Sequence, residues 1–129
     1  MSASSFGSEQ SKGVVRLTRE GDGIVAICLE GEFDLTNARR LDDKVDRALD
    51  SGRDLILDLS EATFIDSSVI HVLVRAGKAG DLRKQAVVLQ LGTAAIVERV
   101  LEIAAIEKVL TRAHDRQEAV RIIQTQARV

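Results

Sequence analysis

Residues 54–74 read DLILDLSEATFIDSSVIHVLV. The first six, Asp54 to Leu59, form a short apolar run with the length and composition of a buried strand. From Val69 the period changes, and Val69, Ile70, Val72, Leu73 and Ala76 recur at helical spacing as far as the breaks at Gly77 and Gly80. Ser60 to Ser68 connect the two and end in the triplet Asp66-Ser67-Ser68. A buried strand feeding directly into an amphipathic helix is half of a βαβ unit, so this stretch predicts the α/β class.

The same alternation extends in both directions. Upstream, Ala38, Leu41, Val45, Ala48 and Leu49 give a helical stripe from Thr36, opposed by Arg39, Asp42, Asp43, Lys44 and Asp46 and ending near Ser51 and Gly52. Before it, Val14 to Arg19 and the apolar run Ile24 to Glu30 flank Gly21-Asp22-Gly23, the pattern of a β-hairpin leading into a buried strand. Downstream, Ala86 to Leu91 reads as a strand, and Gly92 leads to Thr93, an expected N-cap for a helix with Ile96, Val97, Val100 and Leu101 inward. A short strand is expected at Lys108 to Leu110. Asp115 and Glu118 then make a D-x-x-E capping box opening a last helix on Val120, Ile123 and Ala127. The order ββαβαβα(β)α predicts a mixed sheet of four to five strands with about four helices, its parallel pairs joined by right-handed crossovers. Residues 1–13, polar and Ser-rich, read as a flexible tail before one domain over 14–129.

Composition narrows the function. A chain of 129 residues, 45% hydrophobic and 29% charged, suits one self-sustaining core. Aromatics supply 2%, with three Phe and no Trp or Tyr, so stacking platforms for bases are hard to build. The net charge of −2 with interspersed signs does not favour nucleic acid or anionic membrane. Cys28, the single cysteine, lies in an apolar run and reads as a small buried hydrophobe, so no disulfide within the chain is possible. No run approaches the ~18 apolar residues of a membrane span, and Met1 to Gly13 lack an apolar signal-peptide core, which points to the cytoplasm.

Motifs for enzymatic chemistry are missing. There is no dinucleotide fingerprint, zinc spacing or nucleophile elbow, and Gly77-Lys78 match only the end of a phosphate-binding loop. No metal or cofactor is therefore expected. His71 falls one turn beyond Ser67 and Ser68, so a serine nucleophile with a histidine base can be drawn, but no group that would orient the base and no oxyanion hole accompanies it. The triplet Asp66-Ser67-Ser68 reads as a helix cap. It also lies at the carboxyl end of a strand, where open α/β sheets bind ligands, and a helix N-terminus favours an anion by ~0.3 to 1 kcal/mol. A phosphate would be tolerated there.

These residues resemble a known family. LILDLSEATFIDSS is similar to the signature of the STAS domain, named for sulphate transporters and anti-sigma-factor antagonists, in which a buried strand precedes a hydrophobic-Asp-Ser-Ser/Thr switch and a helix. Gly31-Glu32-Phe33-Asp34, followed by Thr36 and Ala38, resembles the family's second-strand exit, and Thr93 through Val100 to Ala104 fit its next helix; the likeness runs from Val14 to Gln126. It implies a bacterial anti-sigma factor antagonist with Ser67 as phosphate acceptor and Ser68 as a neighbouring cap residue. Its implied partners are an anti-sigma factor that is itself a serine/threonine kinase and a metal-dependent phosphoprotein phosphatase. Unmodified, such a protein sequesters the anti-sigma factor and frees a sigma factor for transcription, as in stress responses. Asp34 and Asp66 would shape the partner surface. Val69 and His71 replace small residues of the family pattern and so add bulk where a kinase approaches. The alternatives are a constitutive STAS adaptor in a signalling scaffold or transporter complex, not phosphorylated, and a small hydrolase using Ser67 or Ser68 with His71. A homodimer through apolar positions of the last helix is a further option.

Overall fold

The computed structural model describes residues 13–127. Of the tail expected over residues 1–13, all but Gly13 lies outside the described residues, as does the side chain of Ala127. Gly13 itself is tied to the fold: its N–H donates to the Glu32 carbonyl at 2.8 Å and its carbonyl accepts from Arg40 Nη2 at 2.7 Å.

Strand β1 (Val14–Arg19) turns through Gly21 and Gly23, at φ +83° and +78°, and pairs antiparallel with β2 (Ile24–Phe33). The left-handed φ at these two positions is why the connection needs glycine. Helix α1 (Leu35–Asp50) crosses to β3 (Asp54–Ile65), α2 (Ser67–Arg83) to β4 (Val87–Gln90), and α3 (Ala95–Ile103) to β5 (Thr111–Ala113), before α4 (Arg116–Ala127). The five strands lie in the order β1-β2-β3-β4-β5, with every pair after the hairpin parallel. This is the expected mixed α/β sheet and element order.

Two hydrophobic layers cover the sheet. Leu41 and Val45 of α1, Val69 and Leu73 of α2, and Val97 and Leu101 of α3 share one cluster with Ile27, Leu29, Leu55 and Leu57. Ala119 and Ile123 of α4 pack on the other side with Ala26, Cys28, Ile56 and Val88. Alternate residues of β2 and β3 thus enter opposite layers, which explains why their sequences are apolar without alternation. Cys28 is buried, as its surroundings predict.

Several boundaries differ from expectation. β3 does not stop at Leu59 but runs on to Ile65. The pair Cys28↔Asp58 is followed by Glu30↔Glu61, and Gly31↔Ala62 by Glu32↔Phe64, so β3 bulges by one residue twice. At the first bulge the Ser60 N–H turns onto Asp58 Oδ1 at 2.8 Å. Thr93 does not cap α3: Ala94 holds that position without a side-chain bond, and Ile96, expected inward, is 52% exposed. Gly92 sits tight against β3, where a Cβ would meet Ser60 Cα at 2.7 Å. Lys108 to Leu110 is not a strand. Ile106 and Leu110 both point inward at helical spacing, Ile106–Lys108 form a 3₁₀ turn, and the strand begins at Thr111. Before α4, Asp115 Oδ1 accepts the Glu118 N–H at 2.8 Å, but the Glu118 carboxylate reaches back to the His114 N–H at 2.6 Å, one residue earlier than a capping box requires.

Candidate functional site

The two bulges bring β2 and β3 back into step, so that both strands end on the pair Phe33↔Ile65. The next residue of each chain segment is an aspartate that caps a helix, Asp34 for α1 and Asp66 for α2. The caps are built alike. Asp34 Oδ1 accepts from the Thr36 N–H at 2.9 Å and the Thr36 hydroxyl at 2.6 Å. Asp66 Oδ1 accepts from the Ser68 N–H at 2.9 Å and the Ser68 hydroxyl at 2.5 Å, and from the Val69 N–H at 3.4 Å. Each satisfies backbone donors that the first helical turn leaves without partners. The first cap is reinforced by buried Asn37, whose Oδ1 accepts the Asp34 N–H at 2.8 Å and whose Nδ2 donates to the Glu32 carbonyl at 3.0 Å.

Ser67 and Leu35 occupy the first helical position of α2 and α1, and both are exposed, Leu35 to 77%. Four residues on, at the same position of each helix, stand His71 and Arg39, also exposed. An open groove runs between the helices, lined by Leu35, Arg39 and Asp42 on one side and Ser67, Ser68 and His71 on the other. Asp42 is held by Arg75, whose Nε lies 3.1 Å from its Oδ1 and whose Nη2 also reaches Asp46 at 3.1 Å. These carboxylates and their hydrogen bonds raise the Arg75 pKa further. Among the described residues, Arg39, His71 and the Ser67 hydroxyl make no hydrogen bond or ion pair.

The structure thus brings Asp34, Asp66, Ser67, Ser68 and His71 to one end of the sheet, but not Val69. The Val69 side chain is 0% exposed and packs in the core under α2, because the third helical position points back at the sheet. It therefore adds no bulk to the exposed start of α2. No hydrogen bond joins His71 to either serine in this structure, and His114 pairs instead with Glu118, 3.1 Å away at the start of α4.

Sequence reasoning missed a second polar assembly. Asp58, 6% exposed on β3, accepts from Arg116 Nη2 at 2.5 Å. The same guanidinium reaches Glu20 Oε2 at 2.7 Å, Gln90 Oε1 at 2.7 Å and Cys28 Sγ at 3.3 Å, so it links α4 to three strands and the hairpin turn. Burial pushes the Asp58 carboxyl up, but the Ser60 hydrogen bonds and Arg116 outweigh this and hold it below the ordinary aspartate value. Burial, with Asp58 beside it, pushes the Cys28 thiol up and so leaves it in the unreactive form. The signal in the sequence was Asp58 itself, a lone carboxylate inside an apolar strand.

Residues 16–119 match the STAS domain, and the chain belongs to that family. Its fold is that of an anti-sigma factor antagonist from Mycobacterium paratuberculosis, at TM-score 0.75 and 19% identity, covering 88% of this chain and 96% of that one. The unphosphorylated form of the anti-sigma factor antagonist SpoIIAA superposes at TM-score 0.73 and 18% identity over 87% of this chain and 97% of that one. The Bacillus cell fate determinant SpoIIAA in its phosphorylated form gives TM-score 0.66 and 17% identity over 84% and 99%. No curated protein matches the chain in sequence. Among the described residues, no helix is long and apolar enough to cross a membrane, and no group of three or more His, Cys, Asp or Glu side chains could hold a metal ion.

Proposed function

We propose that this chain is a phosphorylation-switched anti-sigma factor antagonist that acts by binding and not by catalysis, with Ser67 as the modified residue. The observation that carries this reading is the contrast between neighbouring hydroxyls: Ser68 Oγ is committed to Asp66 at 2.5 Å, whereas Ser67 is exposed and its hydroxyl is unbonded among the described residues. SpoIIAA, which shares the fold, is described in phosphorylated and unphosphorylated forms.

Unmodified Ser67 presents a small neutral group beside Leu35, a surface suited to burial against a partner. That partner is an anti-sigma factor with serine/threonine kinase activity, sequestered so that a sigma factor is released in the cytoplasm, and a phosphatase resets the domain. A phosphate adds ~1.5 to 2 negative charges at neutral pH. Burying it without matching cations on the partner costs several kcal/mol, and ~3 kcal/mol corresponds to about a hundredfold loss of affinity. Asp34 and Asp66 add like charge at the same end of the sheet.

The test combines incubation with ATP, magnesium and candidate anti-sigma kinases from the same genome, read by intact mass and fragmentation, with calorimetric titration of Ser67 variants. One phosphate is expected on Ser67, with Ser67→Ala retaining partner affinity and Ser67→Asp losing it. Equal affinity of the two variants would sink the switch. Binding without modification would instead identify a constitutive adaptor.

A further inference from the structure

We propose that phosphate on Ser67 is clamped within this chain by Arg39 and His71, so that modification withdraws the groove's own cations from the partner as well as adding negative charge. The inference rests on Ser67 being the phosphoacceptor and concerns what this particular groove does with the phosphate.

Ser67 and His71 are four residues apart on α2, a spacing that places side chains one above the other, ~5 to 6 Å apart at Cβ. Arg39 faces them from α1 across the groove that all three line. Neither side chain has a hydrogen bond or ion pair among the described residues. The carboxylate in the groove that could have taken Arg39, Asp42, is occupied by Arg75. A guanidinium and an imidazole on opposite walls of the groove that Ser67 lines, both exposed, are donors that phosphate oxygens can accept.

Charge then decides the pH behaviour. The groups around the phosphate are Arg39 and the Arg75-held Asp42 on α1, His71 and Arg75 on α2, Lys78 one turn further along α2, and the two cap carboxylates Asp34 and Asp66. Of these, only an imidazole ordinarily titrates near neutrality, at ~6.5, next to the second ionisation of a phosphate at ~6. A phosphate beside His71 favours the imidazolium, and the imidazolium with Arg39 favours the dianion. The clamp is therefore strongest when both are charged. It falls back to Arg39 alone once the imidazole has lost its proton.

The experiment uses the full chain with phosphoserine installed at position 67 during translation, so it needs no kinase. Imidazole and phosphorus NMR titrations are recorded with and without Arg39→Gln and His71→Gln, both at exposed positions. Phosphorylation is expected to shift the His71 ring resonances, and each substitution is expected to raise the phosphate midpoint by a few tenths, as exposed charge pairs allow. Unchanged His71 ring resonances, or a phosphate midpoint that responds to only one of the substitutions, overturns the two-residue clamp. Failure of every kinase to modify Ser67 would sink the switch of the previous subsection and is read in a separate assay.

Discussion

Replacing Arg116 by methionine keeps the aliphatic stem and removes the charge that Asp58 relies on. Asp58 is 6% exposed and Arg116 lies 2.5 Å from its Oδ2, so the substitution leaves a buried carboxylate without its cation. Stripping one partner from a buried ion pair costs ~3 to 5 kcal/mol. Two features reduce this figure: the Arg116 side chain is 27% exposed, and Asp58 keeps its bond from Ser60. A loss of about 2 to 3 kcal/mol is expected after that discount, with the Glu20 contact adding well under ~1 kcal/mol because it is nearer to solvent. Urea unfolding at pH 7 measures it directly. The pH dependence has a definite sign. Because the folded Asp58 pKa lies below its unfolded value, its contribution in the parent protein is present above about pH 4 and is lost as pH falls through the folded value. In the variant, protonation at low pH relieves the lone buried charge, so the stability gap between the two proteins should narrow there. A loss smaller than ~1 kcal/mol at pH 7, or a gap equally wide at pH 3, would refute the role given to this pair.

Two other substitutions separate packing from recognition at the groove. Val69→Ala removes two methyl groups from a side chain with 0% exposure and should cost about 1 to 2 kcal/mol in urea unfolding, while calorimetry gives an unchanged partner affinity per folded molecule. Asp66→Ala deletes the acceptor of the Ser68 and Val69 N–H groups and should destabilise by about 1 to 2 kcal/mol. It also frees the Ser68 hydroxyl, so fragmentation of the kinase-treated variant should find phosphate on Ser68 as well as Ser67.

The elements that depend on periodicity were legible in the sequence. Leu41, Val45, Val69, Leu73 and Ala76 are all in the core that their spacing implies, and the hairpin glycines sit where the chain turns. What escaped was set by contacts between distant residues. The extension of β3 to Ile65 depends on bulges that only its pairing with β2 defines, and local alternation breaks at each one. Ile96 is apolar yet exposed, and Thr93 is a good cap residue at a position where the chain, pressed onto β3 at Gly92, enters the helix two residues later. At the site, Asp66, Ser67 and Ser68 could be read as cap chemistry and Asp34 entered through the resemblance, but their side-by-side placement required the shared strand end at Phe33↔Ile65. Arg39 gave no signal at all, since a charged residue on the polar face of a helix is ordinary until a second helix is laid beside it. Val69 carried two readings: its place in the motif put it where a kinase approaches, whereas its helical spacing put it in the core, and it lies in the core.

The twin aspartate caps carry a consequence for how quickly and how proportionally a cell could use this domain. Both helix starts are fastened by side-chain bonds that leave the Ser67 hydroxyl out, so altering that hydroxyl loosens no bond of the scaffold. On the proposed reading, a message written there would need no refolding step and no lever arm, and its delay would be that of the modifying enzymes alone. Each molecule would then count as one unit, available or withdrawn, and the response would follow the number of copies in each state as a titration follows the volume delivered.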